Sequence, residues 1–185
     1  MKIHESTSIR IIIMLFTAIS FTLSACGQNR NVNQSSLKMN TIKPENPYYS
    51  HTDTTKLNLS DAEWKKILPK DLYEVSRHAA TERPFTGTYW NAFVKGTYYC
   101  AACGNELFRS EAKFASTCGW PSFFEQDNPK STVFRQDTSL GMERTEVLCA
   151  RCGGHLGHIF DDGPAPTGKR YCMNSVALDF VPDNK

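Results

Sequence analysis

The chain has 185 residues, 40% of them hydrophobic, with 21 Lys and Arg against 19 Asp and Glu. A net charge of +2 gives no electrostatic footprint for a polyanion, so no nucleic-acid partner is expected. Seven cysteines in a chain of this length direct attention to metal, disulfide or thiol chemistry.

The N-terminus has the form of an export signal. Lys2 and Arg10 precede an apolar run from Ile11 to Ala25 that is short for a bilayer-spanning helix. It ends Leu23-Ser24-Ala25-Cys26, which resembles a bacterial lipobox, with residues 1–25 removed and Cys26 lipidated. Cleavage by an ordinary signal peptidase would instead leave Cys26 as an odd thiol. Lipidation would anchor the protein at the periplasmic face or the cell surface. Residues 26–56 are rich in Asn, Ser, Thr and Gln and read as a flexible polar tether. A coil of that length reaches about 30 Å.

A folded domain is expected over residues 57–185. Ser60-Asp61-Ala62-Glu63 has capping-box form, with Leu59 and Trp64 spaced as a hydrophobic staple, and Pro69 should stop the helix. Asp71–Ala80 reads as a second helix with Leu72, Val75 and Ala79 on one face. His78 reads as an ordinary helix residue. Beyond Thr81 the pattern changes to short β-branched and aromatic runs. Thr88–Val94 is expected to pair with Thr97–Cys100 through Lys95-Gly96. Further strands are expected at Glu106–Arg109, Thr132–Gln136, Arg144–Leu148, Ile159-Phe160 and Arg170–Phe180, with a turn near Ser139–Gly141. Strands this short without alternating helices predict a mainly β, antiparallel core with short N-terminal helices.

Cys100-Ala-Ala-Cys103-Gly and Cys149-Ala-Arg-Cys152-Gly are near-duplicate CxxCG turns. Two such pairs make a closed tetrahedral site, which suits a structural zinc ion, with iron as the minor occupant of the same sulfur cage. In an oxidising compartment a disulfide framework or a redox CxxC is the alternative. Cys118 and Cys172 remain. In a strand Arg170, Cys172 and Asn174 share one face, and a cation and an amide beside a thiol favour its thiolate. Asp161-Asp162-Gly163 reads as a turn rather than a calcium loop.

Taken in order, Cys100/Cys103, Thr117-Cys118-Gly-Trp120-Pro-Ser-Phe, Cys149/Cys152, Gly154-His155-Leu-Gly-His158-Ile-Phe-Asp-Asp-Gly163 and Arg170-Tyr-Cys172-Met-Asn174-Ser resemble the B-type peptide methionine sulfoxide reductases. The resemblance runs from about Leu59 to Phe180 and implies two small antiparallel sheets with a zinc clip of four cysteines. It implies Cys172 as nucleophile, Cys118 as resolving cysteine, and His155 and His158 as the groups that bind and protonate the sulfoxide oxygen. Arg170 would stabilise the thiolate, with Asn174 also flanking it, and Trp120 would receive the substrate's S-methyl group. It implies a protein-bound methionine-R-sulfoxide as substrate and a thioredoxin-like reductant. Met173 departs from the aliphatic residue expected there, and its side chain should point away from the Cys172 face. The competing classes are a non-catalytic, zinc-stapled surface lipoprotein and a general thiol–disulfide oxidoreductase. No apolar stripe calls for an oligomer, so a monomer is expected.

Overall fold

The structure, a computed structural model, describes residues 46–184; the signal segment, Cys26 and the first part of the tether lie outside them. The capping box forms as the sequence requires: Ser60 Oγ accepts from the Glu63 N–H, and the Glu63 carboxylate takes the Ser60 N–H at 2.7 Å. Helix α1 then runs Asp61–Ile67 and buries Trp64, and Leu68 leaves the helical region ahead of Pro69. Helix α2 spans Lys70–His78 and buries Leu72, Tyr73, Val75 and Ser76. Ala79, expected on that face, is exposed instead. It is the left-handed cap that ends the helix, with φ 53°, and so turns out of the packed stripe.

Nine strands follow among the described residues. Strands β1 (Gly96–Cys100), β2 (Glu106–Arg109) and β9 (Leu178–Pro182) form a three-stranded antiparallel sheet in the order β2-β1-β9. Strands β3 (Lys113–Phe114), β4 (Ser122–Phe123), β5 (Thr132–Asp137), β6 (Arg144–Cys149), β7 (His155–Phe160) and β8 (Arg170–Met173) form a six-stranded antiparallel sheet in the order β3-β4-β8-β7-β6-β5. The mainly β, two-sheet expectation holds. Between the sheets, Phe108 stacks on Phe123 with centroids 4.4 Å apart, and Tyr98 meets both Phe123 and Phe180 edgewise or tilted.

Three sequence expectations change, each for a visible reason. Thr88–Val94 is not a strand, because both edges of β1 are already taken by β2 and β9. It is an irregular loop that sinks Tyr89 into the core, where Ser175 Oγ accepts the Tyr89 N–H at 3.2 Å. Arg170–Phe180 is not one strand but two in different sheets, since the Glu82 carboxylate captures the N–H groups of Ser175 and Val176 and draws the chain out of the ladder. Asn46–Lys56 is not a free tether. Asn46 Nδ2 donates to Ala102 O at 2.9 Å, the Ser50 N–H to Cys103 O at 3.0 Å, and Asp53 pairs with the buried Arg151 at 2.8 Å. Tight turns leave those knuckle carbonyls unpaired within their own loop, and this segment satisfies them.

Strands β7 and β8 approach so closely at Gly157 that a Cβ there would lie 2.1 Å from the Cys172 carbonyl oxygen. Gly157→Ala is therefore expected to lower stability by about 1–3 kcal/mol in urea unfolding. A loss below about 0.5 kcal/mol, as at an ordinary surface position, would contradict this register.

Candidate active site and metal centre

Each CxxCG turn starts at the end of a strand, β1 for Cys100 and β6 for Cys149. In both, the glycine N–H returns to the first cysteine's carbonyl, Gly104 to Cys100 at 2.7 Å and Gly153 to Cys149 at 2.8 Å. Both glycines have positive φ, 79° and 67°, a conformation that a side chain would strain. The turns aim four buried sulfurs at one point. Cys100 and Cys152 Sγ are 3.7 Å apart, Cys103 and Cys149 Sγ 3.6 Å, and all four lie within 4.8 Å of one another. Bonds of about 2.3 Å to a tetrahedral ion require sulfur separations close to 3.8 Å, so the cage fits a metal. The cage joins the three-stranded sheet to the six-stranded one. Arg77 of α2 fastens the second turn by donating to Cys152 O at 3.1 Å.

A second sulfur pair lies elsewhere. Cys118, in the loop before β4, and Cys172, in β8, have their Sγ atoms 3.6 Å apart, and both are only partly buried. The Phe85 N–H donates to Gly119 O at 2.8 Å and ties that loop down. The S–H between the two sulfurs stabilises a thiolate on one and holds the second proton on the other. Cys118 is thereby lowered to about 4, helped by hydrogen bonds from Ser116, Ser122 and the Trp120 backbone. Cys172 is pushed up, first by its bond to Cys118 and then by burial, with Arg170 acting in the opposite sense. Arg170 is therefore not the first influence on Cys172; the neighbouring Cys118 sulfur is.

Sheet register explains the company that Cys172 keeps. Residues directly opposite in an antiparallel ladder share a face. Ser122, Cys172, His158, Glu146 and Arg135 are successive opposite partners across β4, β8, β7, β6 and β5, so they form one row on one face. His155 lies three residues from His158 and would face away in a regular strand. A bulge at Leu156, where β7 gains one residue against Val147 and Leu148, restores His155 to the same side. The rings meet edgewise with centroids 5.4 Å apart. His155 donates through Nδ1 to Glu146 at 2.7 Å and His158 through Nε2 to Asp137 at 2.8 Å. Burial holds His155 below the ordinary imidazole range, with the Glu146 contact opposing it.

The remaining candidates fall into place differently. Arg170 forms a two-point pair with Asp162 at 2.7 and 2.8 Å and covers the Phe160 ring at 4.4 Å, so its charge is fixed beside β8. Asp161 pairs with Lys169, and the acidic turn is accounted for by two cations. Asn174 lies past the end of β8, and its amide bonds to other groups than the thiol. Its Nδ2 donates to Leu156 O at 3.0 Å, and its Oδ1 accepts from the Glu82 N–H at 3.0 Å. It clamps the bulge. Trp120 donates its indole N–H to Glu82 O at 3.1 Å, which fixes the ring near the Cys118 loop. Met173 is fully buried while Cys172 is not, so it does point away from the thiol face. His78 packs edgewise on Tyr73 at 4.9 Å and takes no part.

Three residues important to this geometry escaped the sequence reading: Glu82, Asp137 and Glu146. The last two were accessible, because a hairpin turning at Ser139–Gly141 sets Arg135 opposite Glu146 and Asp137 opposite Arg144. Glu82 had no such signal, since its partners are 38 to 94 residues away.

Comparison with known proteins gives a consistent result. A SelR domain matches residues 68–182. A peptide methionine sulfoxide reductase MsrB of Agrobacterium fabrum is 51% identical over 133 residues, covering 72% of this chain and 98% of that protein. The protein of the same name from Methanosarcina barkeri is 55% identical over 121 residues, 65% of this chain and 85% of its own length. One from Leifsonia xyli is 54% identical over 127 residues, 68% and 91% respectively. With a matched domain that takes in both CxxCG turns, the thiol pair and the histidine row, this chain belongs to the SelR-domain family of MsrB peptide methionine sulfoxide reductases.

Proposed function

We propose that this protein reduces methionine-R-sulfoxide, chiefly in oxidised proteins and peptides, back to methionine. The observation that carries the reading is the row that sets a thiol pair and two carboxylate-bound histidines on one sheet face. Cys172 is the nucleophile. As it engages the sulfoxide sulfur, its proton passes to the Cys118 thiolate across 3.6 Å, and the fixed Arg170 charge stabilises the anion formed. The sulfoxide oxygen receives a proton from the histidines and ends on Cys172 as a sulfenic acid. The substrate sulfur gains two electrons and leaves as the thioether, while the Cys172 sulfur loses two. Trp120 forms the apolar wall for the S-methyl group. Cys118 then attacks the sulfenic acid, releasing water and forming a Cys118–Cys172 disulfide, which a thioredoxin-like dithiol reduces by exchange.

A thiol–disulfide oxidoreductase lacks support here, because the two reactive cysteines are 54 residues apart and sit in a sheet and its loop rather than in one CxxC turn. We assign the cage to a zinc ion of structural role. Four thiolates would hold it in a closed shell, and its contribution would be to bind the two sheets together. Cys26 with its lipobox supports an exported, lipid-anchored protein, acting as a monomer on oxidised proteins that come within reach of its tether.

The decisive assay is turnover of a peptide carrying methionine-R-sulfoxide with dithiothreitol as reductant. The parent should turn over and Cys172→Ser should be inactive, at least about 10³-fold down. A folded, metal-loaded parent without turnover would sink the reading. Cys118→Ser should release about one methionine per chain in a single turnover and then stall in the presence of a thioredoxin. No methionine from this variant would remove Cys118 from the resolving role. Cys103→Ser should lose bound zinc by elemental analysis and lower the thermal midpoint by at least about 10 °C. Retention of both zinc and midpoint would exclude the structural ion.

A further inference from the structure

Each histidine of the row leaves one ring nitrogen uncommitted, and the hairpin β5–β6 decides which. Its two cross-strand ion pairs have opposite order. Arg135 of β5 faces Glu146 of β6, whereas Asp137 of β5 faces Arg144 of β6. One carboxylate therefore falls to each histidine. Arg135 donates through Nε and Nη2 to Glu146 Oε2, both at 2.7 Å, so that Oε1 is left for His155 Nδ1 at 2.7 Å. Arg144 Nη2 donates to Asp137 Oδ2 at 2.7 Å, the Ser139 N–H to Oδ1 at 2.9 Å, and His158 Nε2 to Oδ2 at 2.8 Å. Glu146 is buried, with a side chain 4% exposed. Most telling is His155 Nε2, which is buried and has no partner among the described residues. A nitrogen desolvated in this way is costly unless something else completes it.

We propose that Glu146 and Asp137 are positioning residues for the sulfoxide reaction, holding His155 by Nδ1 and His158 by Nε2 so that Nε2 of His155 and Nδ1 of His158 serve the substrate oxygen. The proposal rests on the reductase reading. As an imidazolium, His155 has one N–H held by the Glu146 carboxylate and the other, Nε2–H, free for the sulfoxide oxygen. Once that proton is given up, Nδ1–H stays on Glu146 and Nε2 keeps the lone pair that is reprotonated from solvent. Arg135 contributes by occupying the other carboxylate oxygen, which leaves Glu146 a single orientation.

Glu146→Gln separates this role from simple packing. An amide has one acceptor oxygen, and the Arg135 guanidinium claims it. The amide N–H₂ must then face His155 and requires Nδ1 as an acceptor, which moves the ring proton to Nε2. That tautomer can still hydrogen-bond a sulfoxide but cannot readily charge and give up a proton. The expected result is a fall in kcat of roughly 10²-fold with KM within about threefold. In ¹⁵N-histidine spectra of the full chain, the His155 proton should shift from Nδ1 to Nε2. Adding Arg135→Met frees the amide to turn its oxygen to His155, and should restore both the Nδ1–H signal and at least about tenfold in kcat. That recovery also shows that the buried variant is folded. An unchanged kcat in Glu146→Gln, a loss of kcat with Nδ1 still protonated, or no recovery in the double variant would each overturn the proposal. An inactive parent would instead fail the reductase reading itself, so the two failures are distinguishable.

Discussion

The chemistry of this fold depends on the carbonyl of Leu156. It is the extra residue of the β7 bulge, and it accepts two hydrogen bonds from Asn174, from the backbone N–H at 2.8 Å and from Nδ2 at 3.0 Å. Without the bulge, a strand alternates faces, and His155 and His158 would lie on opposite sides of the sheet. With it, both rings join the row that contains Cys172. The same Asn174 accepts from Glu82, whose carbonyl takes the Trp120 indole and whose carboxylate takes Ser175 and Val176. One connected set of bonds thus places the histidines, orients the Trp120 ring, and turns the chain from β8 out of one sheet towards β9 in the other.

The cysteine cage addresses a different mechanical problem. The strands are short, several with two to four residues, and the three-stranded sheet has little hydrogen bonding of its own to lock it to its neighbour. A metal held by the cage would fix the end of β1 to the end of β6, across a long loop in the chain, where cross-linking removes most freedom from the unfolded state. Asn46–Lys56 then lies over both turns and satisfies carbonyls of the first through Asn46 and Ser50, while Asp53 pairs with Arg151 of the second. The Cys118–Cys172 pair is on other elements, which separates the sulfur proposed to be oxidised from the sulfur of the cage.

Much of this was legible in the chain. The capping box, the helix stop at Pro69, the β5–β6 hairpin and both CxxCG turns follow from local chemistry, and local chemistry formed them. The misread segments are those governed by distant partners. Thr88–Val94 has strand composition but finds both edges of β1 taken, and Arg170–Phe180 is broken by a carboxylate more than 90 residues earlier. Asn46–Lys56 looks too polar to order itself, yet its role is to satisfy the backbone of turns that are formed elsewhere. The local pattern around Cys172 could place Arg170 beside it, but not the second sulfur 3.6 Å away.

That second sulfur suggests why the site needs so little motion. A disulfide has its sulfurs about 2.05 Å apart, so closing the gap from 3.6 Å takes a movement of only about 1.5 Å. Opposite pairing of Ser122 with Cys172 holds β4 and the end of the Cys118 loop at this distance in the reduced state. A sulfenic acid formed on Cys172 would have its resolving thiol already within contact, leaving little time for further, irreversible oxidation. The same proximity serves the first step, because a thiolate on Cys118 is a proton acceptor within reach of Cys172. In the proposed cycle a single short S···S contact would act twice, first as a proton store and then as the bond that ends the cycle. The sheet has to maintain one geometry for both.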